Sequence, residues 1–202
     1  WIKRDTISAS QHPLLGGGNG TGHGLLVRFS PSSADTDTIQ IGDYTSSWQW
    51  QLITNRVFRD TGWYHIVIAV DTTQSTSSDR AKLYINGIQE TSFGTASYPS
   101  ENYSTFWNTT TLQVLGGQTW NGSVNGYYNG RMSNAYFVDG QALGPEYFGY
   151  TDGLTNTWKP KKYVNTTASH GDAAGVVGFG TNGFYLPFDG SAPIGQDQSG
   201  QG

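Results

Sequence analysis

The sequence predicts an all-β protein built from antiparallel strands, and three observations support this. Apolar residues alternate with weaker neighbours from Tyr64 to Val70, a period of two that is typical of a strand with one face on a core. Asn86-Gly87 divides two short apolar runs, and this dipeptide is the strongest local signal for a tight hairpin because both residues tolerate positive φ. Among the 202 residues, 28 are glycine, 14% are aromatic and 13% are charged, a composition that favours strands and turns over helices.

The first 60 residues are predicted to contain four strands, at 1–15, at 25–29, from 39–41 onward and at 48–53. They are separated by a glycine-rich connection, 16–24, and by a polar connection, 30–37. The glycine-rich connection lacks the G-x-G-x-x-G spacing and the Lys-Ser or Lys-Thr pair of nucleotide-binding loops. It is therefore predicted to be a flexible turn.

Trp48 and Trp50 lie two residues apart on one predicted strand, which places them on the same face. Two interpretations of this pair stay open. The rings are core residues, or they form a platform on which the apolar face of a sugar stacks.

The middle of the chain is predicted to be an antiparallel meander. Its first strand, 64–70, is followed by a polar loop at 72–79 and by a second strand at 81–85. After the Asn86-Gly87 turn, a third strand returns over 88–93. The tight turn fixes the register of the last two strands.

Two long aromatic-rich loops are predicted after the meander, at 94–108 and 116–130, on either side of a short strand at 112–115. Long connections in compact domains are often functional, and exposed rings in polar loops are unusual unless they stack on something. The candidate ligand-binding residues are the rings and one amide of these loops, together with the tryptophan pair: Tyr103, Trp107, Trp120, Asn121, Tyr127, Tyr128, Trp48 and Trp50.

The last third of the chain begins with a predicted strand at 131–138, followed by one helical turn at 143–148, where Pro145 pre-sets φ. From Trp158 the chain becomes basic and then rich in glycine, with one strand-like run at 183–188. We therefore predict two parts, a β-sandwich domain at 1–158 and a glycine-rich arm or linker at 159–202, which packs on the sandwich or on a neighbour. The chain opens inside a predicted strand and without Met, so we expect it to be part of a longer protein.

No catalytic constellation is predicted. A glycoside hydrolase needs two carboxyl groups about 5 to 9 Å apart. The three glutamates, Glu90, Glu101 and Glu146, lie far apart in the sequence, and Asp35 and Asp37 sit in a polar connection. The four histidines have no metal-ligand spacing, and no G-x-S-x-G nucleophile motif occurs. We therefore expect no catalytic residue, no metal site and no cofactor, and a protein that is not an enzyme.

Charge and composition also bear on the partners. A net charge of −4 argues against a nucleic-acid partner, which would need a clustered basic face. No apolar run approaches the length that spans a bilayer, so no membrane partner is expected. Cysteine is absent, which excludes a disulfide framework and a thiolate metal site. A calcium ion held by loop carbonyls and one or two aspartates is compatible with the sequence but is not predicted by it.

Three segments resemble the laminin-G-like, concanavalin A-like lectin/glucanase superfamily: WYHIVIAVDTT at 63–73, DRAKLYINGIQ at 79–89 and GRMSNAYFVDGQALGPEYFG at 130–149. The narrower resemblance is to the version found in structural proteins of tailed bacteriophages, many of them marine. The segment from Tyr163 onward is similar to the glycine-rich segment that often follows this domain. The resemblance implies a jelly-roll sandwich of two antiparallel sheets. The acidic motif of the enzyme branches is absent here.

The resemblance further implies a non-enzymatic structural or adhesion module on a virion surface, in a tail fibre or a capsid decoration protein. We expect it to bind host-surface glycans and to associate with other virion proteins, as a homo-oligomer. A bacterial cell surface is the alternative location. A purely structural assembly domain without a ligand is the alternative function, and a polysaccharide hydrolase is a third, weaker one.

Overall fold

The computed structural model describes residues 1–7, 11–18, 22, 24–29, 37–163, 178–191 and 193–200. The fold of these residues is all-β, as predicted. Their strands are β1 (Ile2–Arg4), β2 (His12–Gly17), β3 (Gly24–Phe29), β4 (Ile39–Tyr44), β5 (Trp48–Thr54), β6 (Ile66–Val70), β7 (Ala81–Ile85), β8 (Ile88–Glu90), β9 (Phe93–Ser97), β10 (Gln113–Leu115), β11 (Gly117–Trp120), β12 (Ser123–Tyr127), β13 (Gly130–Met132), β14 (Ala135–Phe137), β15 (Gly149–Thr151), β16 (Trp158–Pro160) and β17 (Phe184–Leu186).

Helical structure within these residues is confined to two short 3₁₀ turns, Ser77–Asp79 and Pro145–Tyr147. The second confirms the helical turn predicted at 143–148, with proline at its start. None of the described residues belongs to a helix long and apolar enough to cross a membrane.

One layer of the fold is a six-stranded antiparallel sheet with the order β10-β2-β3-β4-β5-β9, which we call the large sheet. At its centre, Val27 of β3 pairs with Ile41 of β4, and Ile41 pairs with Leu52 of β5. All six residues of β3 are buried. The centre of the large sheet is therefore covered on both faces.

The second layer joins β1 to the meander, and we call it the small sheet. The Ile2 amide donates to the Tyr64 carbonyl at 2.9 Å, and the Tyr64 amide donates back to the Ile2 carbonyl at 2.8 Å. This bridge connects the pair β13-β1 to the three-stranded sheet β6-β7-β8, two residues before β6 begins. The predicted Asn86-Gly87 turn lies between β7 and β8, and both of its residues have positive φ, as predicted.

A single apolar cluster fills the space between the two sheets. It takes alternate residues from each layer: Leu25, Val27, Phe29, Ile39, Ile41, Trp50 and Leu52 from the large sheet, and Ile2, Tyr64, Ala81, Leu83 and Ile85 from the small sheet. Phe58, between β5 and β6, meets the rings of Phe29 and Tyr64 edge to face, with centroids 5.5 and 5.2 Å away. The fold is therefore the predicted two-sheet sandwich.

Two predicted strands are each divided between the layers. The predicted strand 1–15 is β1 in the small sheet and β2 in the large sheet, and the predicted strand 88–93 ends at Glu90 before β9 enters the large sheet. The Asn55 amide donates to the Ser92 carbonyl at 3.0 Å at this crossing. Alternation identifies the strands but carries no information on the layer that each one joins.

The prediction that 116–130 is a loop is also wrong in part, because these residues contain the hairpin β11–β12. Its turn is Asn121-Gly122, a second copy of the dipeptide that marked the first hairpin, and both residues have positive φ. The glycine-rich connection and the polar connection of the N-terminal third lie largely outside the described residues.

The C-terminal arm is attached to the sandwich by strand pairing. The predicted run 183–188 forms β17, which pairs with β14 along Ala135–Phe137. A second apolar cluster of Phe148, Tyr163 and Phe179 lies beside this pair, and the rings of Tyr136 and Tyr185 stack within it at 4.5 Å. The predicted boundary between 158 and 159 falls inside β16, which pairs with β15. The strand pairing therefore has no break at that boundary.

Trp158 fixes the start of the arm. Its indole Nε1 donates a 2.9 Å hydrogen bond to Nδ1 of His65, a buried residue of the small sheet. An added Cβ at Gly87 or at Gly149 would lie 2.5 Å from the Trp158 ring, so the indole fits only because both positions lack a side chain. His65 is thus a hydrogen-bonded residue of the sandwich. Burial lowers the pKa of His65 to about 3, which keeps the imidazole a neutral acceptor.

We predict that His65 makes the fold sensitive to mild acid. An unfolded histidine binds a proton below pH 6.5, whereas folded His65 does so only near pH 3, so the unfolded chain binds more protons in that window. The free energy of unfolding should therefore fall by about 1.6 kcal/mol between pH 6.5 and pH 5 through this residue. Urea unfolding at both pH values measures it. H65N, whose Oδ1 can take the place of Nδ1 as acceptor for Trp158, should lose less stability than the wild type over that range, and equal losses would contradict the prediction.

Candidate functional site

One face of the large sheet packs on the core, and we call the opposite face the outer face. The outer face carries the residues that lie between the core positions in sequence. These are Leu26, Arg28, Gln40, Gly42, Gln51 and Ile53, each adjacent in sequence to a core residue of β3, β4 or β5. Gln51 and Ile53 are half-buried, whereas Leu26 and Gln40 are buried. The outer face is therefore covered near β3 and accessible near β5.

A β-bulge separates the two tryptophans of β5. Asp43 pairs with Trp50 but the next residue, Tyr44, pairs with Trp48, so Gln49 has no partner in β4. The extra residue reverses the alternation, and the prediction that both tryptophans share a face is wrong. Trp50 is completely buried in the core. Trp48 lies on the outer face, where its Cζ3 is 3.2 Å from the position of a Cβ added to Gly42.

The hairpin β11–β12 packs against the outer face at β2. A Cβ added to Gly16 would lie 2.6 Å from the Cα of Gln118 and 2.9 Å from the amide nitrogen of Thr119. The two backbones are thus in direct contact, which requires glycine at position 16. The hairpin forms a wall along one side of the outer face, and it carries the predicted residues Trp120 and Asn121.

Asn121 connects this wall to Trp48 of β5 through Gly22 and Tyr44. Its side-chain Oδ1 accepts from the Gly22 amide at 3.2 Å, and its own amide donates to the Gly22 carbonyl at 3.3 Å. Gly22 in turn lies against Tyr44, whose ring meets Trp48 edge to face with centroids 5.1 Å apart. The structure therefore brings together two of the predicted residues, Trp48 and Asn121, and adds Tyr44, and we call Tyr44, Trp48 and Asn121 the aromatic rim.

Tyr44 is not among the ligand-binding residues predicted from the sequence, because alternation alone identifies it only as a strand residue. The signal that could have found it is the short connection 45–47, which forces Tyr44 and Trp48 to meet across the β4–β5 turn. Trp120 is 41% exposed, so part of its ring is available to a ligand.

The outer face is rich in amides and carries no carboxylate among the described residues. Gln40 Oε1 accepts from Arg28 Nε at 2.8 Å, and burial lowers the pKa of Arg28 to about 10. Gln49 is exposed, and its amide is held by Thr45 and Ser47. Among the described residues, no group of three or more His, Cys, Asp or Glu side chains could hold a metal ion. The chemistry that this face offers is hydrogen bonding by amides beside flat rings.

Tyr103 and Trp107 belong to a different part of the molecule, at the edge of the core. Both pack against the apolar cluster between the sheets. The buried carboxylate of Asp43 anchors their loop by accepting from the Phe106 amide at 3.0 Å. Burial raises the pKa of Asp43, and the hydrogen bond from the Phe106 amide acts in the opposite direction. Burial beside Asp43 raises the pKa of Tyr103 to about 12, so its hydroxyl stays a donor. These two rings close the core.

Tyr127 and Tyr128 also separate, although they are adjacent in sequence. Tyr128 packs against the main core, and burial raises the pKa of its hydroxyl. Tyr127 is 74% exposed on β12. Of these two candidates, only Tyr127 therefore presents its ring to solvent.

The two antiparallel layers and the ring-bearing outer face define a two-layer β-sandwich, a class that includes lectins and glucanases. A laminin G-type family model, described as the concanavalin A-like lectin/glucanases superfamily, matches residues 1–146. The chain belongs to this superfamily. No curated protein and no solved structure matches the chain.

We predict that Asp43 stabilises the loop that carries Tyr103 and Trp107. In D43A the partly buried Phe106 amide loses its acceptor, which should cost about 1–3 kcal/mol of unfolding free energy at pH 7. D43N keeps an acceptor oxygen and should lose less. D71A removes a carboxylate that accepts from Thr73 and Gln74 in an exposed loop, and it should lose less than D43A. Chemical unfolding of the three variants is the measurement, and a D43A protein as stable as the wild type would contradict the anchoring role.

Proposed function

We propose that this domain binds an uncharged glycan on the outer face of the large sheet, at the aromatic rim, and that it does so without cleaving it. The observation that carries the proposal is the placement of Trp48 and Tyr44 beside Asn121, at the accessible end of a face without described carboxylates. Membership of a superfamily of lectins and glucanases is consistent with a sugar ligand.

The chemistry of the rim fits a pyranose. Flat rings pack against the C–H-bearing face of a sugar, and amides can donate to one hydroxyl while accepting from another. Gln51 and Gln49 extend the polar surface along β5, next to Trp48. An anionic glycan would gain no ion pair from Gln49, Gln51 or Asn121, so the ligand is expected to be neutral.

The arrangement of the acids supports binding without hydrolysis. A glycosidase places one carboxylate on each side of the scissile bond. Asp43, the acidic residue of β4, points into the core and is fully buried. Asp37 is engaged by Arg4 at 2.7 Å, away from the aromatic rim. Asp35, the other member of the predicted pair, lies outside the described residues.

For the biological setting, we propose a structural or adhesion module on the surface of a virion, in a tail fibre or a capsid decoration protein, with host-surface glycans as ligands. The support is the resemblance of the segments 63–73, 79–89 and 130–149 to such proteins. A bacterial cell surface is the alternative setting. A purely structural domain without a ligand is the alternative function, and the experiment below separates it from glycan binding.

We predict that W48A weakens glycan binding by at least about tenfold, because it removes the ring on which the sugar stacks, an effect of roughly 1.4 kcal/mol or more. A panel of neutral and acidic polysaccharides, read by affinity electrophoresis and then by calorimetry, identifies the ligand and measures the change. W63A is the control, since Trp63 is a second solvent-accessible tryptophan, 44% exposed, that lies outside the aromatic rim. Reducing ends are assayed in the same samples.

Three results would contradict the proposal. Binding that W48A and W63A weaken equally would place the ligand elsewhere. Release of reducing ends would indicate a hydrolase. If the correctly folded protein binds none of the polysaccharides, the purely structural alternative is favoured.

A further inference from the structure

The small sheet also has a face that points away from the core, which we call its far face. Ile2 and Tyr64 both enter the core cluster and exchange two backbone hydrogen bonds, at 2.9 and 2.8 Å. Their neighbours in sequence, Lys3 and Trp63, therefore lie on the far face. The register of β1 with β13 adds Arg131, which pairs with Lys3. These residues form one row across three adjacent segments, and we call Arg131, Lys3 and Trp63 the cationic row.

The cationic row is accessible to a ligand. The side chain of Arg131 is 69% exposed, Trp63 is 44% exposed and Lys3 is half-buried. Residues that lie opposite each other on one face of an antiparallel pair have Cβ atoms about 4.5–5.5 Å apart. A guanidinium group, an ammonium group and an indole ring are therefore within reach of one small ligand.

The row carries positive charge that the protein does not neutralise. Lys3 forms no ion pair within the described part of the chain. Arg131 pairs with Asp5 at 3.4 Å, but both side chains are exposed, so water screens this pair and it contributes little. With Asp5 included, the row has a net charge of about +1 at neutral pH.

The connection that leads into the row is held in place. Asp60 accepts from the Tyr64 hydroxyl at 2.6 Å and from the Gly62 amide at 2.7 Å. These two hydrogen bonds lower the pKa of Asp60, and the charges of Arg4 and Arg56 act on it in the same direction. The indole of the row therefore projects from a fixed backbone, and little conformational freedom is lost when a ligand stacks on it.

An indole ring beside two cations fits an acidic sugar. The flat ring packs against the C–H-bearing face of a pyranose. A guanidinium group binds a carboxylate through two parallel hydrogen bonds, and an ammonium group adds a point charge. An acidic peptide offers the carboxylates without the sugar ring that would cover the indole. The aromatic rim offers neutral amides instead, so the two surfaces select different glycans.

We propose that the cationic row on the far face of the small sheet is a second binding site, which takes glycans that contain uronate or sialate residues. This site shares no residue with the aromatic rim and does not depend on the glycan binding proposed there. The two sites lie on opposite sides of the sandwich, because each belongs to the solvent side of a different layer. One domain would therefore hold a neutral chain on one side and an acidic chain on the other.

The test uses the whole chain and four polymers: polygalacturonate, its carboxyl-reduced form, polysialate and polyglutamate. Calorimetry should show binding to polygalacturonate or to polysialate. The carboxyl-reduced polymer keeps the sugar ring but loses the charge, and polyglutamate keeps the charge but lacks the ring, so both should bind at least about tenfold more weakly. Binding should also weaken as salt is raised, because the cations are exposed.

The variants K3Q and W63A test the charge and the ring separately. Both residues lie outside the core cluster, so the fold should be retained, and thermal unfolding checks this. W63A should weaken binding of the acidic polysaccharide by about tenfold or more, and K3Q by about threefold. W120A and K162Q are the matched controls, because Trp120 is 41% exposed on the hairpin β11–β12 and Lys162 is an exposed lysine after β16. Both controls should bind like the wild type.

Three results would overturn the proposal. The first is that neither acidic polysaccharide binds to the folded protein. The second is that W63A binds like the wild type, or weakens binding only as much as W120A does. The third is that polyglutamate binds as tightly as the polysaccharides, which would indicate an acidic peptide as the ligand. Neutral polysaccharides should bind W63A as they bind the wild type, so the outcome at the aromatic rim is measured independently.

Discussion

The alternation of side chains across a pleated strand is the constraint on which this molecule depends. In β3, β4 and β5 it sends one set of residues into the apolar layer between the sheets and the other set to the outer face. The rule is broken at Gln49, where a bulge lets Trp50 enter the core while Trp48 points outward. The candidate glycan site exists because of this one unpaired residue. Without it, both rings would compete for the same interior space.

Much of the fold follows from the sequence because the relevant signals are local. The alternation in 64–70, the Asn86-Gly87 turn and the proline at 145 each determine a conformation within a few residues, and each appears in the structure as predicted. The hairpin β11–β12 had the same kind of signal in Asn121-Gly122. The residues that flank this dipeptide are polar, a pattern that favours a loop over a strand. In the structure the same polarity fits a hairpin that is exposed along the whole of β12.

The candidate site was less predictable, because it depends on contacts between distant parts of the chain. Trp48 and Asn121 are connected only through Gly22 and Tyr44, and no pattern in the sequence connects these positions. Tyr103 and Trp107 have the same loop context as Trp120, yet they close the core, since the carboxylate of Asp43 holds their loop inward. Composition shows that rings are abundant in these loops. Only packing decides which of them face water.

The main-chain contact at Gly16 has a consequence for how such a face can vary. Where Gly16 meets Gln118 and Thr119, backbone touches backbone, and any side chain would push the hairpin off the sheet. Substitution of Gly16 is therefore strongly restricted. The exposed side chains of Ser46 and Ser47 and of β12 carry no such restriction and can change without moving the sheets. Diversification of ligand preference among descendants of this scaffold should thus be concentrated at those positions.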